Sequence, residues 1–344
     1  MLGLCEGVVG EILVHLNGFT GFHELVHVCR HGGVSGFGTL VLRVPNGIWL
    51  AWKSMRARTA VIPAAGLGTR FYPITKAVPK ELLPIFDVPA LQLIIDEAIG
   101  AGCDHVVLVS SREKPGLEKY IAPSPDVVAK LRDQGRDDVA NRLARIGADV
   151  RVSVTYQDNP KGLGHAVGCA RQLVGDETFA VLLPDELRGD SGLLRLLIDS
   201  SEATGKSAIE LKRVPMDEVS AYGVVTVTPE SPTEGPFGIV GVVEKPKKED
   251  APSDLIILGR YVLTADIFDD IDRLTPHSNG EYQLTDALLA QGLRGDLLGH
   301  LTTTERYDTG TPMGWLTALI DLTLRRDDVG PELRAWLAQR VTQK

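Results

Sequence analysis

A short apolar run that breaks into a glycine loop is the feature that most constrains the fold of this 344-residue chain. The run at residues 60–62 predicts a buried strand. Gly66 and Gly68 follow it and let the backbone turn tightly and approach a ligand closely. Backbone N–H groups in such a loop can hold phosphate oxygens, and Arg70 and Lys80 add positive charge nearby. The stretch therefore predicts a strand that ends in a phosphate-binding loop.

The loop matches neither of the two common phosphate-binding patterns. The Gly-Lys-Ser/Thr end of the P-loop is absent, and Phe71 stands where the dinucleotide fingerprint has its third glycine. A lone Gly-x-Gly indicates a simple turn more often than a ligand site. The longer string at residues 63–84 is much more specific; it ends in Pro79-Lys80-Glu81-Leu82-Leu83-Pro84.

Strand and helix patterns alternate after this loop. The strand patterns lie at residues 60–62, 105–109, 151–156 and 179–183, and the helical patterns between them include residues 127–146, with Gly135 as an interruption, and 164–173. This order predicts a Rossmann-like α/β fold with a mixed, mostly parallel sheet flanked by helices. Ligands in such sheets bind beyond the carboxyl ends of the strands. We therefore expect one site at this edge of the sheet.

The later part of the chain changes pattern twice. Strand patterns dominate residues 207–261 and predict a β-rich lobe, whereas residues 265–341 are mainly helical. The predicted divisions are an N-terminal extension at residues 1–58, a main domain at residues 59–326 and a C-terminal helix at residues 327–344.

The first 58 residues differ in composition and pattern from the rest. They are rich in Gly and Val, and their periodicity is weak. Because Met55 directly precedes the first clear strand, we expect this segment to be an over-extended start that is poorly ordered. His23-Glu24-Leu25-Val26-His27 matches the His-Glu-x-x-His pattern, in which a helix brings two His side chains to one zinc ion. The glycines close on both sides argue against that helix, so a zinc site is the less favoured interpretation.

Composition limits the classes of partner. A net charge of −9 argues against a general nucleic-acid or membrane surface. The four cysteines show no Cys-x-x-Cys spacing, which favours reduced thiols in a cytoplasmic protein. We expect a homo-oligomer that acts on small molecules.

Two carboxylates are candidates for a metal site. Asp185 closes the strand predicted at residues 179–183, and Asp308 lies in Tyr307-Asp308-Thr309-Gly310-Thr311. Carboxylates at a sheet edge can hold Mg²⁺, which prefers oxygen ligands and shares them with substrate phosphates. On local grounds, a helix cap at Asp185 and a turn at Asp308 are about equally well supported.

Taken together, these motifs resemble those of the nucleotidyltransferases that make nucleotide-sugars. In detail, residues 59–325 resemble the bacterial UTP–glucose-1-phosphate uridylyltransferases, also called UDP-glucose pyrophosphorylases. The further strings that carry the resemblance are Gly162-Leu163-Gly164-His165-Ala166-Val167, Val243-Glu244-Lys245-Pro246 and Gly280-Glu281-Tyr282-Gln283-Leu284-Thr285-Asp286. The resemblance implies the nucleotide-diphospho-sugar transferase fold, with the β-rich lobe on the sugar side.

The same resemblance implies the reaction and its charged groups. UTP and glucose-1-phosphate would give UDP-glucose and pyrophosphate, through in-line attack by a phosphate oxygen on the α-phosphorus of UTP. No side-chain nucleophile is required, so catalysis depends on positioning and on positive charge. Arg70, Lys80 and Lys245 are the expected catalytic cations, and Asp185 and Asp308 are the expected ligands of Mg²⁺.

The resemblance also implies a set of substrate-binding residues. The set comprises Ala65, Gly66, Gln157, Gly162, Gly223 and Glu244. The amide of Gln157 can donate and accept at once, as the edge of uracil requires, and Glu244 can accept hydrogen bonds from sugar hydroxyls. Glu186 departs from the family, whose members often have a second Asp at that position.

Two other functions are compatible with parts of the pattern. Thymidylyltransferases usually have a double-glycine loop and a Ser-Lys-Gln string, whereas Ala64-Ala65-Gly66 and Pro79-Lys80-Glu81 here favour transfer of uridylyl groups. A non-catalytic protein that binds nucleotide-sugars and regulates a partner would typically lack some of the charged residues. All of them are present, so catalysis is the favoured prediction.

Overall fold

The computed structural model describes the backbone of residues 8–12, 26–29, 39–43 and 49–53, and the whole of residues 56–229 and 235–341. The chain divides into two compact units, Met1–Met55 and Arg56–Lys344. The described part of the first unit is an antiparallel sheet of β1 (Val8–Ile12), β2 (Val26–Cys29), β3 (Thr39–Arg43) and β4 (Trp49–Lys53), in that order. His27 of the His-Glu-x-x-His pattern lies in strand β2 rather than in a helix, whereas His23 and Glu24 lie outside the described residues.

The second unit is built around a mixed sheet. The strands of this unit, which include the separate pairs β6–β7 and β11–β17, are in chain order β5 (Thr59–Pro63), β6 (Pro84–Ile85), β7 (Val88–Pro89), β8 (His105–Ser110), β9 (Arg151–Tyr156), β10 (Phe179–Leu182), β11 (Glu186–Arg188), β12 (Ser207–Arg213), β13 (Gly223–Val227), β14 (Phe237–Glu244), β15 (Leu255–Leu263), β16 (Leu297–Leu301) and β17 (Arg306–Asp308). The main sheet has the order β12-β16-β14-β13-β15-β10-β5-β8-β9. Strands β10, β5, β8 and β9 run parallel, and the strands from the β-rich segment pair mainly antiparallel. The predicted α/β fold with a mixed sheet is confirmed.

Helices cover both faces of this sheet. They are α1 (Ala90–Gly100), α2 (Pro115–Ile121), α3 (Pro125–Asp133), α4 (Asp137–Arg145), α5 (Leu163–Gly168), α6 (Arg171–Val174), α7 (Gly192–Thr204), α8 (Ile267–Asp272), α9 (Leu284–Arg294), α10 (Pro312–Leu324) and α11 (Gly330–Val341). Successive residues of β5 point to opposite faces: Ile62 shares a core with α1 and α7, and Val61 shares one with α5, α8 and α9. The continuous apolar run at residues 60–62 of β5 agrees with this, because both faces of the strand are covered.

The helical predictions need two changes. The segment at 127–146 is interrupted as expected, with Gly135 at φ 71° between α3 and α4. The single helix predicted at residues 164–173 is wrong, because the structure has two shorter helices, α5 and α6. Helix α7 was not predicted, although its buried positions Leu193, Leu194, Leu197 and Ile198 have helical spacing. Among the described helices, none has the length and apolar character of a membrane span.

Candidate active site

The glycine loop leaves β5 at the carboxyl edge of the parallel strands. The Ala64 N–H donates to the Val109 carbonyl at 2.8 Å, which holds the start of the loop against the end of β8. Ala65 is buried, whereas Gly66 is exposed and has open space where a side chain would stand. The backbone at Gly66 is therefore accessible to a ligand at this edge of the sheet.

Lys80 and Asp185 form an ion pair beside this loop. The Lys80 Nζ lies 2.7 Å from the Asp185 Oδ2, and both side chains are largely shielded from solvent. Burial lowers the pKa of Lys80, but the carboxylates of Asp185 and Glu81 outweigh it and the pKa is raised. For Asp185, burial raises the pKa, but Lys80 outweighs it and the pKa is lowered. Both groups are thus held in their charged forms.

A two-stranded ribbon brings Asp308 to the same place. Strand β17 pairs with β11 in the register that places Asp308 opposite Glu186, the residue after Asp185. The Thr309 N–H and hydroxyl both donate to the Asp185 carbonyl, at 2.7 Å and 3.0 Å. This pairing joins two segments that are more than a hundred residues apart in the chain.

Gly310 lies between the two carboxylates. A β-carbon added to Gly310 would lie 3.0 Å from the Asp308 Oδ1, 3.1 Å from the Asp185 Oδ2 and 3.6 Å from the Arg70 Nη1. The Arg70 guanidinium also donates to the Gly310 carbonyl at 3.5 Å. Arg70, Lys80, Asp185 and Asp308 are therefore brought together around one glycine.

The donor set at Gly310 fits a hard divalent cation. Asp185 and Asp308 offer carboxylate oxygens on either side of a space that a single β-carbon would fill. Within residues 56–229 and 235–341, no three His, Cys, Asp or Glu side chains gather in a group that could hold a metal ion by itself. A cation bound by these two carboxylates would need ligands from substrate or water, as Mg²⁺ usually does.

The loop after β9 holds Gln157 and Gly162. Gln157 is buried, and its side-chain amide donates to the Gly162 carbonyl at 3.0 Å and contacts the His165 Nδ1 at 2.9 Å. Gly162 has φ 90°, and a β-carbon there would lie 2.7 Å from the Tyr282 carbonyl. Only glycine suits this position. The group that packs most closely against Gly162 is therefore the backbone of Tyr282.

The residues assigned to the sugar meet on β13, β14 and α9. Gly223 pairs directly with Glu244, and a β-carbon at Gly223 would lie 2.9 Å from the Thr285 methyl group. The Glu244 carboxylate accepts from the Thr285 hydroxyl at 3.1 Å and lies 3.2 Å from the Lys245 Nζ. Lys245 has φ 43°, a left-handed conformation that is uncommon for a lysine and marks a constrained position.

Arg306 links the carboxylate group to the sugar side. Its guanidinium lies 3.4 Å from the Asp308 Oδ2 and donates to the Tyr222 hydroxyl at 3.5 Å. The Tyr222 carbonyl in turn accepts from the Lys245 N–H at 3.0 Å. Arg306 is not among the residues predicted from the sequence. The alternation of Arg306 and Asp308 in a strand would have indicated it, had β17 been recognised.

Glu186 turns away from the carboxylate pair and into the interior. Its Oε2 accepts from the Gly259 N–H at 3.1 Å and lies 3.5 Å from Arg188 and 3.7 Å from Arg306. Arg188 also pairs with Glu210, and both of these side chains are fully buried. The geometry beside Asp185 thus places Glu186 in a network of internal ion pairs.

Comparison with known proteins gives the family. The family described as nucleotidyl transferase matches residues 59–324. A UTP–glucose-1-phosphate uridylyltransferase from Bacillus subtilis strain 168 is 38% identical over 279 residues, which cover 81% of this chain and 95% of that protein. The structure of a UTP-bound UGPase from Acinetobacter baumannii is 33% identical with a TM-score of 0.76, over 82% of this chain and 99% of its own.

A further structure, a UDP-glucose pyrophosphorylase complexed with UDP-glucose, is 36% identical with a TM-score of 0.71, over 78% of this chain and all of its own. These similarities cover the glycine loop, the ribbon and the β-rich lobe in one continuous match. The chain therefore belongs to the nucleotidyl transferase family and is similar over most of its length to the UTP–glucose-1-phosphate uridylyltransferases.

Proposed function

We propose that this chain transfers the uridylyl group of UTP to glucose-1-phosphate and releases pyrophosphate. The observation that carries the proposal is the gathering of Arg70, Lys80, Asp185 and Asp308 around Gly310. Two cations and two carboxylates at the carboxyl edge of a parallel sheet suit the binding of phosphates and a metal ion. The substrates are those in the names of the similar proteins.

The reaction needs positioning and charge rather than a protein nucleophile. A phosphate oxygen of glucose-1-phosphate attacks the α-phosphorus of UTP, and the bond from that phosphorus to the β-phosphate oxygen breaks. The attacking oxygen is already anionic, so the two substrates repel each other unless positive charge in the site offsets the repulsion and lets them approach. We assign Arg70 and Lys80 to the phosphates of UTP, because both adjoin the glycine loop, and Lys245 to the sugar phosphate.

Asp185 and Asp308 are the residues that we assign to a divalent cation, and we propose that it is Mg²⁺. Their oxygens face each other across Gly310. When bound, the cation would neutralise phosphate charge and polarise the reacting phosphate. Lys80 contacts the same Asp185 oxygen, so the two positive charges share one carboxylate.

Two further groups of residues are assigned to the uridine part of UTP and to glucose. We assign Gln157 and Gly162 to the uridine part of UTP, and Ala65 and Gly66, in the glycine loop, to the nucleotide. The amide nitrogen of Gln157 is engaged by Gly162 and His165, so its side-chain oxygen is the atom that we assign to the N–H of the uracil edge.

We assign Gly223 and Glu244 to glucose. Glu244 already accepts from Thr285, which holds its carboxylate in place for further hydrogen bonds from sugar hydroxyls.

Pyrophosphate release tests the proposal directly. Purified protein should release pyrophosphate from UTP in the presence of glucose-1-phosphate and Mg²⁺, and removal of any one of the three should stop the release. The release should fall in Asp185→Asn and in Lys245→Ala while both variants keep their fold. The absence of turnover by the wild-type protein, or unchanged turnover in both variants, would contradict the proposal.

The alternative substrate is dTTP, and the same assay with both nucleotides separates the two functions. The similar proteins named above are uridylyltransferases, which supports UTP. A protein that binds nucleotide-sugars without catalysis would bind UDP-glucose and release no pyrophosphate. Cytoplasmic location and assembly into a homo-oligomer stay predictions from the sequence.

A further inference from the structure

A buried ion pair lies directly beneath the glycine loop. The side chains of Lys114 and Glu81 are 8% and 1% exposed, and the Lys114 Nζ lies 3.1 Å from each Glu81 carboxylate oxygen. The same ammonium group donates to the Ala64 carbonyl at 2.8 Å. All three N–H bonds of Lys114 thus have acceptors, on two segments that border the site.

The contact with Ala64 fixes the direction of a peptide group in the loop. The C=O and N–H of a trans peptide point to opposite sides of the chain. Because Lys114 draws the Ala64 carbonyl inward, the N–H of Ala65 is directed to the other side of the loop. The next residue, Gly66, is exposed and has open space where a side chain would stand, so we take the outward side of the loop to be the ligand side.

The contact with Glu81 fixes the position of the short turn that carries Lys80, which borders the site beside the glycine loop. Glu81 follows Lys80 in the same short turn, Lys80–Leu82, so an anchored Glu81 limits where the Lys80 side chain can begin. The first turn of α2 supports the same segment: a β-carbon added to Gly116 would lie 3.4 Å from the Pro79 ring. Lys114, just before α2, therefore sets the spacing between the loop and Lys80.

We propose that Lys114 and Glu81 are positioning residues for UTP. They act through the Ala64–Ala65 peptide and through Lys80, which together form the nucleotide side of the site. The proposal rests on the proposed function for the identity of the nucleotide. A buried ammonium group needs an acceptor for each of its three N–H bonds, and here the third acceptor is a loop carbonyl at the ligand-binding edge.

The test uses the double variant Glu81→Gln/Lys114→Met. The single change Lys114→Met would leave the Glu81 carboxylate buried without its cation and lower the melting temperature, whereas the double change replaces the pair with neutral side chains of similar size. We expect the double variant to fold and its KM for UTP to rise by about tenfold or more, because a charge-assisted contact to the loop is lost. The KM for glucose-1-phosphate, measured at saturating UTP, should stay within about twofold of wild type, a small change on the free-energy scale.

Asp270→Asn/Arg294→Met is the matched control. It removes another ion pair with a buried carboxylate, between α8 and α9, with contacts at 2.7 and 2.9 Å. The control should lower stability and leave both KM values unchanged. A wild-type KM for UTP in the Glu81→Gln/Lys114→Met variant would overturn the positioning role, as would an equal rise in both KM values.

Calorimetric titration with UTP separates this inference from the proposed function. If the wild-type protein releases no pyrophosphate but binds UTP, the proposed function fails, and a loss of UTP affinity in the double variant still supports the positioning role. If the wild-type protein does not bind UTP either, both fail. If turnover is normal and UTP affinity in the variant is unchanged, the positioning role alone is wrong.

Discussion

Replacement of Lys80 by methionine should have opposite effects on metal binding and on turnover. The Lys80 ammonium lies 2.7 Å from the Asp185 oxygen that also faces Gly310 and Asp308. A divalent cation that takes this oxygen must displace or share the ammonium group. Without substrates, Lys80→Met should therefore bind metal more tightly than the wild-type protein. With substrates it should be slow, because it lacks a cation for the phosphates.

The size of both effects follows from the contact. A hydrogen bond between charged groups contributes about 1.5–3 kcal/mol. If the metal ion no longer has to displace the Lys80 ammonium group, this free energy of about 1.5–3 kcal/mol corresponds to metal binding that is about 10- to 150-fold tighter. Loss of a preorganised positive group at a reacting phosphate costs about 10²–10³-fold in turnover.

The competition should not depend on pH in the neutral range. The pKa of Lys80 is raised above its ordinary value of 10.5. The stabilisation that the ion pair gives is fully present below the ordinary pKa and is lost only as pH rises through the higher value in the folded state. The ratio of the metal affinity of Lys80→Met to that of the wild-type protein should therefore stay constant from about pH 6 to about pH 9.

Titration with Mn²⁺, followed by electron paramagnetic resonance of the free ion, measures the effect without turnover. Lys76→Met is the matched control, because it removes an exposed charge from the same segment and should leave Mn²⁺ affinity nearly unchanged. Asp185→Asn should abolish tight binding. If Lys80→Met binds Mn²⁺ no more tightly than wild type while Asp185→Asn still weakens binding, the competition is refuted. If Asp185→Asn has no effect, the metal assignment itself is wrong.

Three further changes test other parts of the structure. In Gly310→Ala, the new β-carbon would lie 3.0–3.1 Å from two carboxylate oxygens, so we expect turnover to fall by about 10²-fold with little change in melting temperature. Lys245→Gly should be about 1 kcal/mol more stable than Lys245→Ala to denaturant, because φ is 43°, while both variants show a raised KM for glucose-1-phosphate. Burial lowers the pKa of His300, so protonation of the unfolded state should destabilise the fold as pH falls below the ordinary value of 6.5. Differential scanning fluorimetry between about pH 7.5 and 5.5 should show a smaller loss in His300→Gln than in wild type.

The parallel strands could be predicted from sequence because each carries its own signal. Strands β5, β8 and β10 are buried on both faces, so each contains a continuous apolar run of at least three residues. The glycine loop and Lys80 follow β5 closely, and their place at the sheet edge follows from that order. Strand β9 was also predicted over its full length, although it lies at the edge of the sheet.

The ribbon that completes the site could not be predicted in this way. Strand β17 has three residues, too few for any periodicity, and its partner β11 lies far away in sequence. The burial of Lys114 could not be predicted for a related reason. A lysine at the start of a helix is usually a solvated charge, and only the structure gives its burial and its contact with Ala64. Contacts between distant segments decide both cases, and no local pattern encodes them.

The charges on the ribbon are paired along its diagonals rather than directly across the ladder. Glu186 faces Asp308 across the ladder, and Arg188 faces Arg306, so like charges stand directly opposite each other in both pairs. Such pairs destabilise an isolated ribbon. Arg306 lies diagonally between the two carboxylates, at 3.7 Å and 3.4 Å, and Glu186 is drawn inward to the Gly259 N–H. This leaves the Asp308 Oδ1 beside Gly310 and facing Asp185. Each charge on the ribbon thus has an oppositely charged neighbour on the diagonal, along the strand or in the interior, and the Asp308 carboxylate keeps one oxygen beside Gly310.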